Sequence, residues 1–509
     1  MKNKSLFIYL GIILILVIVL GVIVFFALTN KTTSTNNYNN LKNMDFSSSS
    51  SSSAEETVIV DKNVELEEKT VASVDYTSYT GKVDLSSLSI TGNGINLSGT
   101  TITVTEEGTY YFTGTSSNAN IVINANDDAK VILVFENANI TSSNTAVING
   151  INAKKITINL VEGSTNIFTD SSNYTVFTED DEPDATVFSK TDLIISGKGN
   201  LVINANYKDG IASKDDLVIS DATLNITSQD DGIRGKDSVQ ITNANITIKS
   251  KGDTIKSTND SDSEKGYILI SSSTINIETE ADGIQAETIL KITSGNINIK
   301  TTGSTANDNS CKALKGGTLI QIADGTFNIN STDDAIHSNG DLYIDAGDFT
   351  ITSDDDGIHA DGLIEIDGGT FNITSHEGIE ATYVKINDGT INISASDDGI
   401  NAGKKSTSYD VTVEINGGYI TIKMGSGDTD GIDSNGNLYI NGGTIDVTGN
   451  SAFDYDGKAE YNGGTLIVNG TQTNTITNQF MGGGQRGTQG GQQGGMTGNM
   501  QPNQGNGRR

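Results

Sequence analysis

Residues Asp354 to Ala381 read DDDGIHADGLIEIDGGTFNITSHEGIEA, and this stretch holds one complete structural period followed by the start of the next. Within it Ile358 and Ala360 flank His359, Ile364 and Ile366 flank Glu365, and Phe371 and Ile373 flank Asn372. Each triplet sends two side chains to one side and one to the other, which is the two-residue alternation of a β-strand. The turns between triplets are Asp-Gly and Gly-Gly. No part of the unit shows the 3.6-residue spacing of a helix. Isoleucines equivalent to Ile358 recur at Ile211, Ile233, Ile255, Ile284, Ile336, Ile379, Ile400 and Ile432. The basic step is 21 or 22 residues, with insertions before Tyr267, near Ala306 and near Lys405, and a degenerate unit centred on Leu314. Three short strands per step predict one coil of a parallel β-helix, with coils rising about 4.8 Å and burying an Ile/Val/Leu core. A propeller would need a period of about 40–50 residues, and sandwich strands lack identical turns at every step. Similar alternation extends back to Ile95 and forward to Val468, so the expected solenoid covers residues 85–475. The general handedness of parallel crossovers makes it right-handed.

Composition agrees with an ordered but unusual chain. Of 509 residues, 35% are hydrophobic, 57 are Gly, two are Pro, and the net charge is −32. Low hydrophobicity with high charge suggests disorder, but the alternating placement of the apolar residues argues against it. The acidic balance argues against nucleic acid as a partner. Cys311 is the single cysteine, which excludes an internal disulfide, and it has no histidine cluster around it. Leu6 to Leu28 is an apolar run long enough to cross a bilayer, preceded by Lys2 and Lys4. The reading is an uncleaved anchor (residues 1–29) with the body outside the cell. A Ser/Asn-rich spacer (30–84) and a Gly/Gln-rich tail (476–509) complete the chain.

Stacked coils turn equivalent positions into columns. The first column, at the Asp turn, contains Asp230, Asp231, Asp253, Asp282, Asp333, Asp334, Asp354, Asp355, Asp356, Glu377, Asp397 and Asp398. Carboxylates about 5 Å apart require cations between them, and calcium accepts six to eight oxygen ligands with loose geometry. The simpler explanation is that Asp-Gly makes the turn. The doubled and tripled aspartates favour calcium. The second column follows each anchor residue: Ala212, Arg234, Lys256, Gln285, Lys315, His337, His359, Glu380, Asn401 and Asp433. Arg234, Lys256, Lys315, His337, His359 and Glu380 are the candidate contacts to an acidic sugar. The alternative is plain charge balance for the aspartates. A third column, from Asn225 through Asn298 and Asn372 to Thr421, makes a flat amide and hydroxyl face that suits either a structural ladder or a flat glucan. Tyr343 and Tyr439 lie on a further face, available to stack on sugar rings.

The ordered motifs DDEPDATVFSK (Asp180 to Lys190), YKDGIASKDDL (Tyr207 to Leu217), DDGIRGKDSV (Asp230 to Val239), DDAIHSNGDL, DDGIHADG and HEGIEA resemble the clostridial carbohydrate-binding β-helix family over roughly residues 85–470. That resemblance implies a pectate-lyase-like β-helix, bound calcium, and binding of cellulose and polygalacturonate, without an established lyase activity. The leading expectation is a calcium-binding, non-catalytic, extracellular polysaccharide-binding protein. A calcium-dependent uronate lyase and a structural adhesin or stalk are the alternatives. A lyase would need a Lys or Arg base with a lowered pKa, for which Arg234, Lys256 and Lys315 are the candidates.

Overall fold

The computed structural model describes residues 62, 64–177, 182–306, 309–426 and 429–478, all within the unit Ala54–Arg509. The expected membrane segment and nearly all of the Gly/Gln tail lie outside the described residues. Among the described residues no helix is long and apolar enough to cross a membrane.

The described chain is all-β, a long solenoid of parallel strands. One coil is Ile336–Ser338, Asp341–Ile344 and Asp348–Ser353. Each of these strands pairs with its counterpart one turn on, so three parallel sheets run the length of the molecule. The first sheet carries the anchor isoleucines in register: Ile211↔Ile233, Ile233↔Ile255, Ile255↔Ile284, and onward through Leu314 to Ile432. A slip of one residue would turn this apolar row outward, so burial locks the register.

The interior is continuous. The anchor isoleucines are fully buried, and so are the inward residues of the other two sheets, such as Ile364, Ile366 and Phe371. Phe327, Phe349 and Phe371 occupy one position of three successive coils, with ring centroids 4.6 Å apart and planes nearly parallel. Glycine between Asp and Ile has a steric cause. A Cβ on Gly357 would lie 2.6 Å from the Gly378 carbonyl oxygen and 2.5 Å from Ile373. Antiparallel pairs close both ends: Gly81–Asp84 with Ser89–Gly92 and Ile95–Ser98 with Thr101–Val104 at one, Thr465–Val468 with Thr471–Thr473 at the other. They cover edges that would otherwise offer unpaired amides to another chain.

The span 30–84 is not a free spacer over its last part. Lys62 and residues 64–69 run along the outside of the second sheet, across several coils. Lys62 donates to Glu365 (3.2 Å), Gln321 donates to the Lys62 carbonyl, Lys291 to the Val64 carbonyl, Gln240 to the Glu67 carbonyl, and Lys69 pairs with Asp216. Val64 and Leu66 pack on an outer apolar strip of Tyr267, Leu269, Ile289, Leu319, Tyr343 and Leu363. This corrects the expectation for Tyr343: its side chain is 5% exposed, lies under Lys62 (5.5 Å to the ring centroid) and is not presented to a sugar.

Candidate functional site

The Asp-Gly-Ile turns form the corner between the third and first sheets. The aspartates Asp209, Asp231, Asp253, Asp282, Asp334 and Asp398, two residues before their anchors, reach along the axis to the backbone of the neighbouring coil. Asp253 N donates to Asp231 Oδ1 (2.9 Å), Asp282 N to Asp253 Oδ1 (3.0 Å), Lys312 N to Asp282 Oδ1 (2.8 Å) and Asp356 N to Asp334 Oδ1 (3.1 Å). One oxygen of each therefore serves to fasten coils together, and an acceptor is needed there because corner amides have no strand partner.

The second oxygen faces the column that follows the anchors, and that column is in register throughout: Ala212, Arg234, Lys256, Gln285, Lys315, His337, His359, Glu380, Asn401, Asp433, Asp454. Asp209 pairs with Arg234 (2.5 Å), Asp253 with Lys256 (2.7 Å), Asp282 with Lys315 (3.1 Å), Asp334 with His337 (2.6 Å) and Asp356 with His359 (2.7 Å). Lys312 bridges Asp333 (2.7 Å) and Asp334 (3.0 Å). Burial opposes the charge on His359, but hydrogen bonds to Asp356, Asp361 and Glu380 outweigh it and push the imidazole up to about 11. Glu380, despite its burial, is held at about 2 by His359 and Lys405. Asp356, His359 and Glu380 place ligand atoms within 4.8 Å of one another, held together by the imidazole's hydrogen bonds. Over these coils the chain's own cations pair with the carboxylates, although burial and neighbouring carboxylates still push Asp231 up to about 7 and Asp356 to about 6.

The compensation ends beyond Glu380. Here the column continues with Asn401, Asp433 and Asp454, and among the described residues no Lys or Arg ion pair joins Glu377, Asp398 or Asp433. Burial, then repulsion from Glu380, Asp356 and Asp398, pushes Glu377 up to about 8. Burial, then Asp398 and Asp454, pushes Asp433 to about 7, and Asp398 itself rises to about 6. Asn401 donates to Glu377 (3.0 Å) and Glu380 (3.3 Å), while its Oδ1 is buried without a hydrogen-bond partner. Excess negative charge and an unsatisfied amide oxygen suit a hard divalent cation, and the exposed His376 is a nitrogen donor beside Glu377 and Asp397. Of the twelve expected metal ligands, then, Glu377 and Asp398 lie where a cation is lacking; Asp398 Oδ1 also fastens the corner by accepting from Asp430 N (2.9 Å), and Glu377, Asp397 and His376 place ligand atoms within 4.8 Å of one another. Asp231, Asp253, Asp282, Asp334 and Asp356 are buried or half-buried and engaged in the corner, and Asp333 is held by Lys312 and the Cys311 amide. Asp230, Asp354 and Asp355 are exposed beside them. Asp433 belongs with the uncompensated group and was missed because it lies in the column of anchor-following residues, not at the turn.

A cavity of about 500 Å³ opens on the same corner, lined among others by Lys251, Asp253, Glu280, Ala281, Asp282, Gln285, Ser310 and Lys315. It lies within the size range of small-ligand sites. Two local facts make the space. Gly252 and Ala281 replace the bulkier Asp230 of the coil before, and the column that carries Arg234, Lys256 and Lys315 has the neutral Gln285 here. The insertion near Ala306 supplies Gly303, Ser304, Asn309 and Ser310 as a wall. Carboxylates, amides and ammonium groups converge on it, a donor and acceptor mixture suited to sugar hydroxyls.

The amide column is a hydrogen-bonded ladder: Asn298 donates to Asn276 (3.0 Å), Asn328 to Asn298 (2.9 Å) and Asn392 to Asn372 (3.2 Å).

A family model described as carbohydrate-binding domain-containing protein matches residues 98–357 and 339–475. A carbohydrate-binding domain-containing protein of Acetivibrio thermocellus is 32% identical over 135 residues, which are 26% of this chain and 47% of the relative, so the match spans about half the relative's length. Among solved structures, the gadolinium derivative of the polysaccharide lyase-like protein from C. thermocellum is 28% identical, with a TM-score of 0.43, over 49% of this chain and 97% of that one.

Proposed function

Because the chain belongs to the carbohydrate-binding domain-containing family, we propose that it is a non-catalytic, calcium-binding protein that holds an extracellular polysaccharide, cellulose or a polygalacturonate-type acidic glycan, in the cavity between Lys251 and Lys315. The observation that carries this reading is the cavity itself: about 500 Å³ of space lined by Lys251, Asp253, Glu280, Asp282, Gln285 and Lys315 among others. Calcium would sit on the uncompensated carboxylates that begin at Glu377, where Asp397 and His376 place ligand atoms within 4.8 Å and the Asn401 oxygen is orphaned, with Asp398 and Asp433 adding negative charge on the next coils. There it would neutralise like charges on adjacent coils and brace the corner. The right-handed coil, and an anchor at Leu6 to Leu28 that keeps the body outside the cell, complete the proposal.

The lyase alternative is less well supported. A proton-abstracting base needs a lowered pKa. Although burial works against their charge, Arg234 is held protonated by Asp209 and Asp184, and Lys256 by Asp253. Pull-down on insoluble cellulose and on polygalacturonate covalently coupled to beads, with and without chelator, tests the binding reading. Retention on neither support, or growth of ultraviolet absorbance from unsaturated products, would overturn it.

A further inference from the structure

We propose that a single polysaccharide chain lies parallel to the coil axis, running from the cavity to an aromatic subsite at Tyr207. The proposal rests on the polysaccharide-binding reading above and adds a direction, a second contact and a length dependence to it. Tyr207, Gln229, Lys251 and Glu280 each stand four residues before an anchor isoleucine, namely Ile211, Ile233, Ile255 and Ile284, which are paired coil to coil. They therefore form one line along the corner. The backbone confirms the stacking: Gln229 N donates to the Lys208 carbonyl (3.1 Å) and Gly252 N to the Asp230 carbonyl (3.1 Å). Lys251 Nζ also reaches back to Gln229 Oε1 (2.9 Å). Lys251 and Glu280 line the cavity. Coil spacing puts Tyr207 about 10 Å from Lys251 and about 14 Å from Glu280 along the axis, a span of two to three sugar rings with only Gln229 between.

The far end of that line is built as a platform. Tyr207 stacks on the buried Tyr174, with centroids 4.2 Å apart and planes 17° apart. Tyr174 is fixed from below, its hydroxyl donating to Asp170 (2.7 Å) and to the Ala185 carbonyl (3.1 Å). Phe177, 38% exposed, flanks Tyr207 at 6.4 Å, and Val176 beside it is 51% exposed. Of the five exposed large hydrophobic side chains among the described residues, two lie in this one place. Lys208 Nζ lies over the Tyr207 ring, 5.6 Å from its centroid, so a sugar that stacks there moves the ammonium to the ring's edge, where it meets the carboxylate of a uronosyl unit. A rigid tyrosine with an apolar face and a wet edge recognises a pyranose ring at little entropic cost.

Titration calorimetry on the full-length chain with calcium, using di- and hexasaccharides of galacturonic acid and of cellobiose type, tests the proposal. The hexasaccharide is expected to bind more tightly than the disaccharide. Tyr207→Ala should weaken the hexasaccharide about tenfold and leave the disaccharide within twofold, Phe177→Ala should do the same to a smaller extent, and Tyr207→Phe should bind as the parent. Gln285→Arg, which fills the cavity with the cation found elsewhere in that column, should weaken both lengths. If Tyr207→Ala leaves the hexasaccharide unchanged while Gln285→Arg weakens both, the aromatic subsite is wrong and the cavity stands. If Gln285→Arg changes neither length, or the parent binds neither series, the cavity reading falls and the extension falls with it.

Discussion

Replacing His359 by Gln removes one imidazolium from between two buried carboxylates. His359, Asp356 and Glu380 are 8%, 6% and 7% exposed, and the imidazole Nδ1 lies 2.7 Å from Asp356 and 3.0 Å from Glu380. Taking one partner out of a buried ion pair costs about 3–5 kcal/mol, because the remaining charge stays desolvated and unpaired. Lys405 continues to pair with Glu380 (2.8 Å), which sets the expectation at the lower end, about 3 kcal/mol. The pH dependence has a definite sign. The folded-state pKa, about 11, lies above the ordinary 6.5, so the folded chain binds the proton more tightly than the unfolded one. Its contribution is fully present below about pH 6.5 and is lost progressively as pH rises towards 11. The destabilisation by His359→Gln should therefore be largest at pH 6 and smaller at pH 9. In a solenoid, stability is roughly a sum over neighbouring coils, so the loss should be local. Hydrogen exchange of the amides from Asp356 to Ala381, compared with those near Ile219, measures it. Adding Asp356→Asn should recover about 1–2 kcal/mol by deleting the stranded charge. A loss below about 1 kcal/mol, or one of equal size at both pH values, would show that the imidazolium does not compensate these carboxylates.

The carboxylates beyond Glu380 should behave oppositely towards added cation. With Glu377 near 8 and Asp433 near 7, ionisation destabilises the apo fold, so its melting temperature should fall as pH rises from about 5 to 8. Calcium should flatten that profile, and Glu377→Gln with Asp397→Asn should abolish the calcium effect in differential scanning calorimetry; a calcium shift that survives both changes would place the ion elsewhere. Val64→Asp with Leu66→Asp should release Lys62 and residues 64–69 from the outer apolar strip, giving new proteolytic cleavage there and dye binding to Tyr343, Leu319 and their neighbours, with the interior intact. Unchanged proteolysis would refute that contact. Phe349→Ala removes the middle ring of the 327–349–371 stack and should cost about 3–5 kcal/mol, read as lost exchange protection in those three coils; a cost under about 1 kcal/mol would mean that the neighbouring rings collapse into the gap.

The 21–22-residue step, the two-residue alternation and the Asp-Gly-Ile corner were legible before any coordinates, because each is a local rule repeated in step. Once the period is known, pairing Arg234 with Lys256 or Asn298 with Asn328 needs only counting. The resemblance carried the family in the same way, through ordered motifs. What counting could not supply is which charges meet. Whether Asp253 points its second oxygen at Lys256, or Lys312 replaces an aspartate in the corner, depends on side-chain reach between coils. The cavity needs the insertion near Ala306 folded back beside Gln285, and Glu380 needs Lys405 from another insertion. Tyr343 is covered by a segment nearly three hundred residues earlier in the chain, whose VELEEKTV pattern belongs to no repeat. Periodicity determines the solenoid because backbone pairing and burial act identically at every coil; tertiary structure alone decides the site, because the site is made where the repeat is broken.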